Sequence, residues 1–182
     1  NIFQGIPFDG NGVFHGTLFT LLNPYGLLGG ALFLLLFLEH GSLWLCIKTE
    51  GDLYERAVNA SEKIWPFLLF VAVAFLFATL FTTTLYNNYF ASPALFIVIL
   101  ITVAALMGTR FFINKRAFFK AWFSSGLTIA GTTFFGIIGL FPNMFPSSME
   151  PEVSLTAFNA SSSPLTLKIM LTIVVIVIPV VI

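Results

Sequence analysis

Long, uninterrupted runs of apolar residues dominate the pattern of hydrophobic and polar positions along this chain. A helix that spans a membrane needs roughly 20 apolar residues, each rising 1.5 Å. Strands of a membrane barrel alternate apolar and polar residues, and stretches such as Ala31–Leu38 do not alternate. The pattern therefore predicts an all-α integral membrane protein, a polytopic helical bundle forming one membrane domain over 1–182. About five transmembrane helices are expected, at 24–47, 64–86, 93–112, 119–141 and 165–182.

The basic residues predict which segments face the cytoplasm. Lys and Arg concentrate in or beside the segments 48–63 and 113–118, whereas 1–23, 87–92 and 142–164 contain none. By the positive-inside rule the two basic loops face the cytoplasm, and the other three segments, including the N-terminal one, face outward. Lys168, near the outer end of the fifth run, is the one basic residue against this trend.

The segment 48–63 contains a weaker helical pattern of its own. Thr49 and Asp52 resemble a capping box, and the apolar residues that follow recur at helical spacing. A short surface helix lying on the lipid headgroups is expected there. Pro66 is then expected near the start of the second spanning helix, where a missing N–H costs little.

Gly26 and Gly30, four residues apart in the first run, have the spacing that lets two membrane helices approach closely. The pattern is common in glycine-rich spans, so it predicts only a close contact and not a partner.

Composition agrees with the membrane assignment and excludes several classes of function. Hydrophobic residues make up 58% of the chain and charged residues 9%, against about 25% charged residues in soluble domains. Eight basic and eight acidic residues cancel, so no net field attracts nucleic acid, and no nucleic-acid partner is expected. The one cysteine, Cys46, excludes an intramolecular disulfide and a cysteine-rich metal site.

Glu39 and His40 are the ionisable residues deep inside the first run. Glu39 is about nine residues, or roughly 13 Å, from Lys48 at the cytoplasmic end. Ionisable residues at that depth commonly mark proton or ion paths, so the pair is a candidate intramembrane proton-linked site. The alternative is a structural role in which Glu39 is protonated and fixes helix packing. Adjacent helical positions point about 100° apart, so the two residues are expected to have different partners.

Two further groups of polar residues are candidates for structural or docking roles. Lys48 and Glu50 end the first run, and their alternative is an interfacial anchor followed by a turn. Asn159, Ser161 and Lys168 surround the start of the fifth run. Their alternative is capping of that helix together with a lysine that reaches the headgroups. No catalytic, cofactor-binding or metal-binding residue is predicted in the chain.

Three segments carry a resemblance to a known family. They are the stretch from Leu21 to Gly30, the stretch from His40 to Gly51, and the stretch from Phe141 to Lys168. Their order and spacing resemble the second subunit of bacterial cytochrome bd quinol oxidase over nearly the whole chain. The chain begins with Asn1 and ends in an apolar run, so we interpret it as a fragment, the C-terminal half of such a subunit.

The resemblance implies a haem-free subunit of a respiratory complex that oxidises quinol and reduces oxygen. Two b-type haems, the haem d and the quinol site would belong to the first subunit, and this chain would support it. The resemblance also allows a structural quinone in this subunit and a small third subunit. The expected location is the bacterial cytoplasmic membrane, among its lipids. The resemblance places no catalytic residue in this chain.

Two other functions stay open from the residues alone. A fragment of a proton-coupled secondary transporter could use Glu39 and His40, although transporters commonly have broken helices and repeat symmetry. A purely architectural membrane protein would have no redox partner.

Overall fold

The computed structural model describes residues 1–181, and helices account for most of them. In chain order the helices are α1 (Leu18–Leu21), α2 (Pro24–Lys48), α3 (Gly51–Thr82), α4 (Asn87–Ala91), α5 (Phe96–Asn114), α6 (Phe118–Leu140) and α7 (Pro164–Val181). Two short strands, β1 (Asn143–Phe145) and β2 (Leu155–Thr156), pair antiparallel in the segment between α6 and α7.

The four long helices α2, α3, α5 and α6 form an antiparallel bundle. Contacts join α2 to α3, α3 to α5, α5 to α6, and α6 back to α2, which closes the ring. As a result the end of α2, the start of α3, the end of α5 and the start of α6 lie together. This end of the bundle carries every Lys and Arg except Lys168, and we call it the basic end.

Four helices are long and apolar enough to cross a membrane, namely α2, α3, α6 and the segment Pro93–Asn114, which contains α5. A fifth apolar helix, α7, is shorter over its described part. The predicted all-α polytopic membrane fold is therefore confirmed. Most predicted bounds agree within a few residues, but the predicted end at Ile182 lies outside the described residues.

The largest departure from the prediction is the segment 48–63, which is not a loop with a separate surface helix. It forms the first part of α3, whose 32 residues would extend about 48 Å, against roughly 30 Å of hydrocarbon. The predicted capping box is also wrong, because Glu50 is the N-cap without a side-chain bond and the Thr49 hydroxyl donates to Leu45 O. Gly51, with φ of 65°, permits the tight turn from α2.

Pro66 consequently lies inside α3 and not near its start. A proline has no N–H, so the carbonyl four residues earlier, that of Glu62, loses its partner within the helix. Arg110 Nη1 of α5 donates to this carbonyl over 3.3 Å. A side chain from a neighbouring helix thus replaces the missing backbone bond.

Glycines allow close contacts in this bundle, but not where the sequence predicted them. Within the described chain, a methyl group on Gly30 would meet nothing within 4 Å, and one on Gly26 would meet the Asn1 side chain and not a second helix. On α6, a methyl group on Gly131 would overlap the Thr102 hydroxyl of α5 and come within 3.0 Å of Thr102 Cβ. Gly131 therefore allows α5 and α6 to pack closely at this position.

The short helix α4 closes the end of the bundle opposite the basic end. Asn88 Nδ2 donates to Ile138 O (3.0 Å) and Gly139 O (3.1 Å), and also to Phe141 O. The last carbonyls of a helix have no partner within it, so Asn88 satisfies the C-terminal end of α6. The buried Tyr89 hydroxyl donates to Phe135 O over 2.8 Å.

The buried interior consists of two apolar clusters along the bundle axis. The cluster nearer the basic end includes Leu43 and Ile113, and the other includes Leu36 and Leu106. Between the two, all four helices contribute buried polar residues. These are Glu39 and Ser42 of α2, Ser61 of α3, Thr109 of α5 and Ser124 of α6, and we call them the polar layer.

Candidate functional site

The polar layer has one carboxyl group, that of Glu39. The side chain is only 1% exposed, and neither carboxyl oxygen has a hydrogen-bond partner. Among the residues that the structure describes, these are the buried side-chain oxygens or nitrogens left without one. A charged carboxylate at such a depth costs at least about 2.5 kcal/mol if it is unpaired. This isolation makes Glu39 the most unusual group in the bundle.

Arg110 of α5 follows Thr109 of the polar layer in the sequence and is the half-buried basic residue among those whose burial the structure describes. Its guanidinium lies 5.6 Å from the centre of the Trp65 ring and donates to the Glu62 carbonyl that Pro66 leaves free. Trp65 is itself fixed, because Nε1 donates to Leu106 O over 3.0 Å. Two contacts from α3 therefore fix Arg110, and neither of them is a carboxylate.

The path from Arg110 to the surface passes Glu62. The Glu62 carboxylate lies 3.6 Å from Arg116 Nη2, and both side chains are more than a third exposed. Such an exposed pair adds little stability, about 0–1 kcal/mol. The position of the pair matters more than its energy. The pair places solvated charges beside the Glu62 carbonyl that Arg110 contacts, between the polar layer and the basic end.

The hydroxyls of the polar layer have already used their donors. Ser42 donates to Glu39 O, Ser61 to Val58 O, and Thr109 to Ala105 O, each within its own helix. Ser124 donates across to Ala105 O of α5. A hydroxyl has one donor and two acceptor lone pairs, so these groups retain only acceptors for any further partner.

His40 faces a different neighbour from Glu39. Its Nδ1 lies 2.7 Å from Ser125 Oγ, and its ring stacks on Trp122 with 5.1 Å between ring centres, both on α6. Because Ser125 donates its own O–H to Trp122 O over 2.7 Å, the imidazole supplies the proton, which assigns the N–H to Nδ1. The structure therefore does not bring Glu39 and His40 together as a pair.

Lys48 and Glu50 lie at the junction between α2 and α3. Lys48 Nζ lies 5.0 Å from the centre of the Trp44 ring, a cation–π contact within α2. Glu50 is exposed at the start of α3 and makes no capping bond. Both side chains are accessible at the basic end, and their docking role stays a prediction.

Asn159, Ser161 and Lys168 do not form one site. Asn159 holds the turn after β2, because Oδ1 accepts from Thr156 N (2.6 Å) and Nδ2 donates to Ser154 O (3.0 Å). Ser161 and Lys168 are exposed. The hydroxyl at the start of α7 that accepts a backbone N–H belongs to Ser163, which receives Thr166 N over 3.4 Å.

Outside the membrane-spanning helices, His15 and Asp9 form an ion pair in the N-terminal segment. His15 Nε2 lies 2.9 Å from Asp9 Oδ2. This hydrogen bond, followed by one from the Val13 backbone, lowers the pKa of the Asp9 carboxyl below its ordinary value. The pair closes a surface turn, and it involves neither the polar layer nor the bundle.

A cavity of about 60 Å³ lies inside the bundle, and Glu39 is not among its lining residues. All four helices line it, with Leu36, Phe75, Leu106 and Thr128 as examples. Leu36 and Leu106 lie about one helical turn from Glu39 and Arg110 respectively. Cavities that hold cofactors and drug-sized ligands measure about 300–1,000 Å³, so this space is too small for either, and its mainly apolar lining does not favour water.

The described residues do not fit a haem. The His40 ring is packed between Trp122 and Ser125, and the cavity of the bundle is far below haem size. No group of three or more His, Cys, Asp or Glu residues that could hold a metal ion occurs in the part of the chain that the structure describes.

Sequence reasoning identified Glu39 but missed Arg110 and the contacts that hold it. In the charge pattern Arg110 only flanks a basic loop, although it lies within the third apolar run. The available signal was the proline four residues after Glu62, which leaves a carbonyl free for an outside donor. The partner that fills this position depends on how α5 is rotated against α3.

Comparison with known proteins gives a family match over the entire chain. The family model described as "Cytochrome bd terminal oxidase subunit II" matches residues 1–182. Similar proteins include a "Probable cytochrome oxidase subunit 2" of Haemophilus influenzae, 34% identical over 94% of this chain and 53% of that protein. A "Cytochrome bd ubiquinol oxidase subunit 2" of Bacillus subtilis is 30% identical over 93% of this chain and 49% of that protein. The "Cytochrome bd-I ubiquinol oxidase subunit 2" of Escherichia coli is 27% identical over 100% of this chain and 56% of its own length. The chain thus spans about half the length of these relatives.

Proposed function

We propose, on the premise that this chain belongs to the family of cytochrome bd terminal oxidase subunit II, that it is part of a haem-free membrane subunit of a respiratory oxidase. In this proposal the complete complex oxidises a quinol and reduces oxygen, and this chain supports the haem-bearing subunit. The observation that carries the proposal is the family match over all 182 residues. Relatives named as ubiquinol oxidase subunits give the substrate class.

The geometry supports a haem-free role for the described part of the chain. A haem ligand needs an imidazole nitrogen directed into a space large enough for the macrocycle. His40, which alone among the histidines lies in a long helix, is engaged by Ser125 and Trp122. As the family resemblance implies, the proposal places the two b-type haems and the haem d in the partner subunit. A structural quinone and a small third subunit stay predictions without assigned residues.

Exposed phenylalanines provide surface for the partner subunit. Ten phenylalanines in the second to fourth apolar runs are candidates for this surface or for lipid contact, but two of them, Phe75 and Phe135, are buried in the bundle core. The other eight are exposed. They are Phe67, Phe70, Phe77 and Phe81 of α3, Phe96 of α5, and Phe119, Phe123 and Phe134 of α6. Large exposed apolar faces mark contacts with lipid or protein, and the proposed interface uses part of these faces.

In the proposed orientation the basic end faces the cytoplasm and the N-terminal segment faces outward. The positive-inside rule supports it, because seven of the eight basic residues lie at or near one end of the bundle. The orientation is testable with single cysteines after Cys46, the only cysteine, is replaced by serine. A membrane-impermeant maleimide applied outside intact cells should label Asn11→Cys and not Glu55→Cys. The reverse pattern would contradict the orientation.

The oxidase proposal is tested on the complex purified through a tag on the full-length subunit. A reduced-minus-oxidised visible spectrum should contain haem b and haem d absorption, and a larger second protein should co-purify. The same subunit purified without its partner should be stable but free of haem absorption. A native, stable complex without haem would refute the oxidase proposal.

A proton-coupled transporter is the second candidate, and the isolated Glu39 carboxyl favours it. It would be supported by a haem-free complex that moves protons with a solute.

A further inference from the structure

Glu39 is a buried carboxylic acid, and the proposed role of this chain in supporting a haem-bearing subunit does not explain its presence. It is 1% exposed, and both carboxyl oxygens lack a partner among the described side chains and backbone. Buried polar groups in native structures are nearly always hydrogen-bonded, so an exception calls for an explanation such as a catalytic role, a bound water or an ion.

The neighbouring groups are compatible with a protonated carboxyl and with water. The hydroxyls of the polar layer have committed their O–H groups to backbone carbonyls, which leaves them as acceptors. None of these acceptors lies within hydrogen-bond distance of the carboxyl oxygens, so a protonated carboxyl would reach them through a bridging water.

The charges around Glu39 disfavour a metal cation and favour a proton. Arg110 of α5, which follows Thr109 of the polar layer, supplies positive charge. This charge repels a cation but balances the carboxylate when the proton leaves. On α3, Glu62 is partly exposed, its carboxylate lies 3.6 Å from Arg116, and its backbone carbonyl accepts from Arg110. On α6 the one charged residue, Lys120, is exposed. On α2 itself, His40 is bonded to Ser125 and the Cys46 thiol is buried.

The side from which a proton can arrive follows from the same contacts. Arg110 and Glu62 connect the surroundings of Glu39 with the solvated Arg116 at the basic end. Apolar clusters lie on both sides of the polar layer, with Leu43 and Ile113 toward the basic end and Leu36 and Leu106 toward the end closed by Asn88. In the described bundle, charged groups accompany only the cluster toward the basic end.

We propose that Glu39 is a proton-exchanging carboxylic acid that takes its proton from water at the basic end of the bundle. In the exchange, a water-borne proton binds the carboxylate to give the neutral acid, and release returns the proton to water while Arg110 balances the remaining charge. The site needs no haem, so the proposal is independent of the oxidase assignment.

Infrared difference spectroscopy of the full-length subunit in its native complex tests the proposal. Stepping the pH should change a carboxylic C=O stretching band that shifts in D₂O. The band should be lost in Glu39→Gln, which is nearly isosteric but cannot exchange a proton. It should persist in the matched control Glu62→Gln, because Glu62 is partly exposed at the surface.

Sidedness is measured on the complex reconstituted in vesicles of known orientation. Changing the pH only on the side of the basic end should alter the Glu39 band, and changing it only on the other side should not. A band that persists in Glu39→Gln, or that responds only from the opposite side, would overturn the proposal. If Glu39→Gln fails to assemble, Glu39→Asp retains a carboxyl and should keep the band at a shifted frequency, and an unshifted band would count against Glu39.

These outcomes are separate from the test of the oxidase proposal. The infrared band does not depend on haem or turnover, so a haem-free complex could still support proton exchange at Glu39. Conversely, an intact oxidase spectrum without the Glu39 band would refute only proton exchange at Glu39.

Discussion

Replacement of Gly131 by alanine tests whether close packing between α5 and α6 holds the bundle together. A methyl group at this position would overlap the Thr102 hydroxyl and lie 3.0 Å from Thr102 Cβ and 3.2 Å from its Cγ2. Thr102 cannot rotate away freely, because its hydroxyl donates to Val98 O over 2.7 Å. Breaking that bond costs about 0.5–1.5 kcal/mol, and overpacking in a close-packed core costs about 1–3 kcal/mol.

The matched control is Gly41→Ala in α2, where an added methyl group would meet nothing within 4 Å. Both substitutions gain the same helix propensity, up to about 1 kcal/mol, so the difference between them isolates the packing cost. We therefore expect Gly131→Ala to have a free energy of unfolding about 1–3 kcal/mol lower than Gly41→Ala. The measurement is unfolding of the full-length subunit in mixed micelles, followed by tryptophan fluorescence.

A double-mutant cycle with Thr102→Ala sharpens the test. Removal of the hydroxyl and the Cγ2 methyl group should relieve most of the overlap, so Gly131→Ala should cost less in the Thr102→Ala background. Equal stabilities of Gly131→Ala and Gly41→Ala, or no coupling in the cycle, would refute the reasoning that α5 and α6 are packed to the limit at this position.

Three further substitutions test other parts of the structure. Asn88→Ala should lower the free energy of unfolding by roughly 1–3 kcal/mol, because carbonyls at the end of α6 lose their donor. The control is Asn87→Ala, at an exposed position of the same short helix. Equal effects of the two substitutions would contradict the role of Asn88 in satisfying these carbonyls. Pro66→Ala should restore a backbone N–H that competes with Arg110 for Glu62 O, and Trp65 fluorescence should change as the guanidinium moves. The control is Pro93→Ala, at the start of a helix, which should leave Trp65 fluorescence unchanged. An unchanged Trp65 signal in Pro66→Ala would count against the competition. The hydrogen bond from His15 lowers the pKa of Asp9 below its ordinary value of 3.8, so its stabilisation is present above that value and is lost as the pH falls through the lower folded-state pKa. The protection of the Asn11 and Val13 amides against hydrogen exchange, relative to their intrinsic rates at each pH, should then decrease in wild type but not in Asp9→Asn. An identical pH response in both would refute the role of the pair.

Parts of the candidate site were predictable because they depend on depth alone. A carboxyl group within an apolar run is costly wherever the helix points, so the hydropathy pattern was sufficient to identify Glu39. The sequence also indicated that Glu39 and His40 point in different directions, because adjacent helical residues are about 100° apart. The sequence did not fully distinguish exposed phenylalanines from buried ones. Phe75 and Phe77 are both apolar residues of α3, but only Phe75 is buried.

The boundary of α3 was not predictable from hydropathy. The residues from Gly51 to Lys63 are polar enough to resemble a loop, but they continue the helix beyond the apolar run. Hydropathy reports where a segment can meet hydrocarbon, whereas a helix persists for as long as its backbone bonds and packing allow. Ala57 and Val58 are buried against α2, α5 and α6 residues of the cluster at the basic end, and this tertiary packing stabilises the extension.

By itself, the amino-acid sequence determined the membrane class, the approximate spans, the distribution of charge along the chain and the family, because these depend on composition and order. The tertiary structure alone decided which side chains meet. Helices that are apolar on nearly every face give little amphipathic signal for their rotation, so the contacts of Arg110 with Trp65 and Glu62 could not be deduced. The same rotations leave Glu39 without a partner and engage His40 with α6, because helix packing fixes the direction of each side chain.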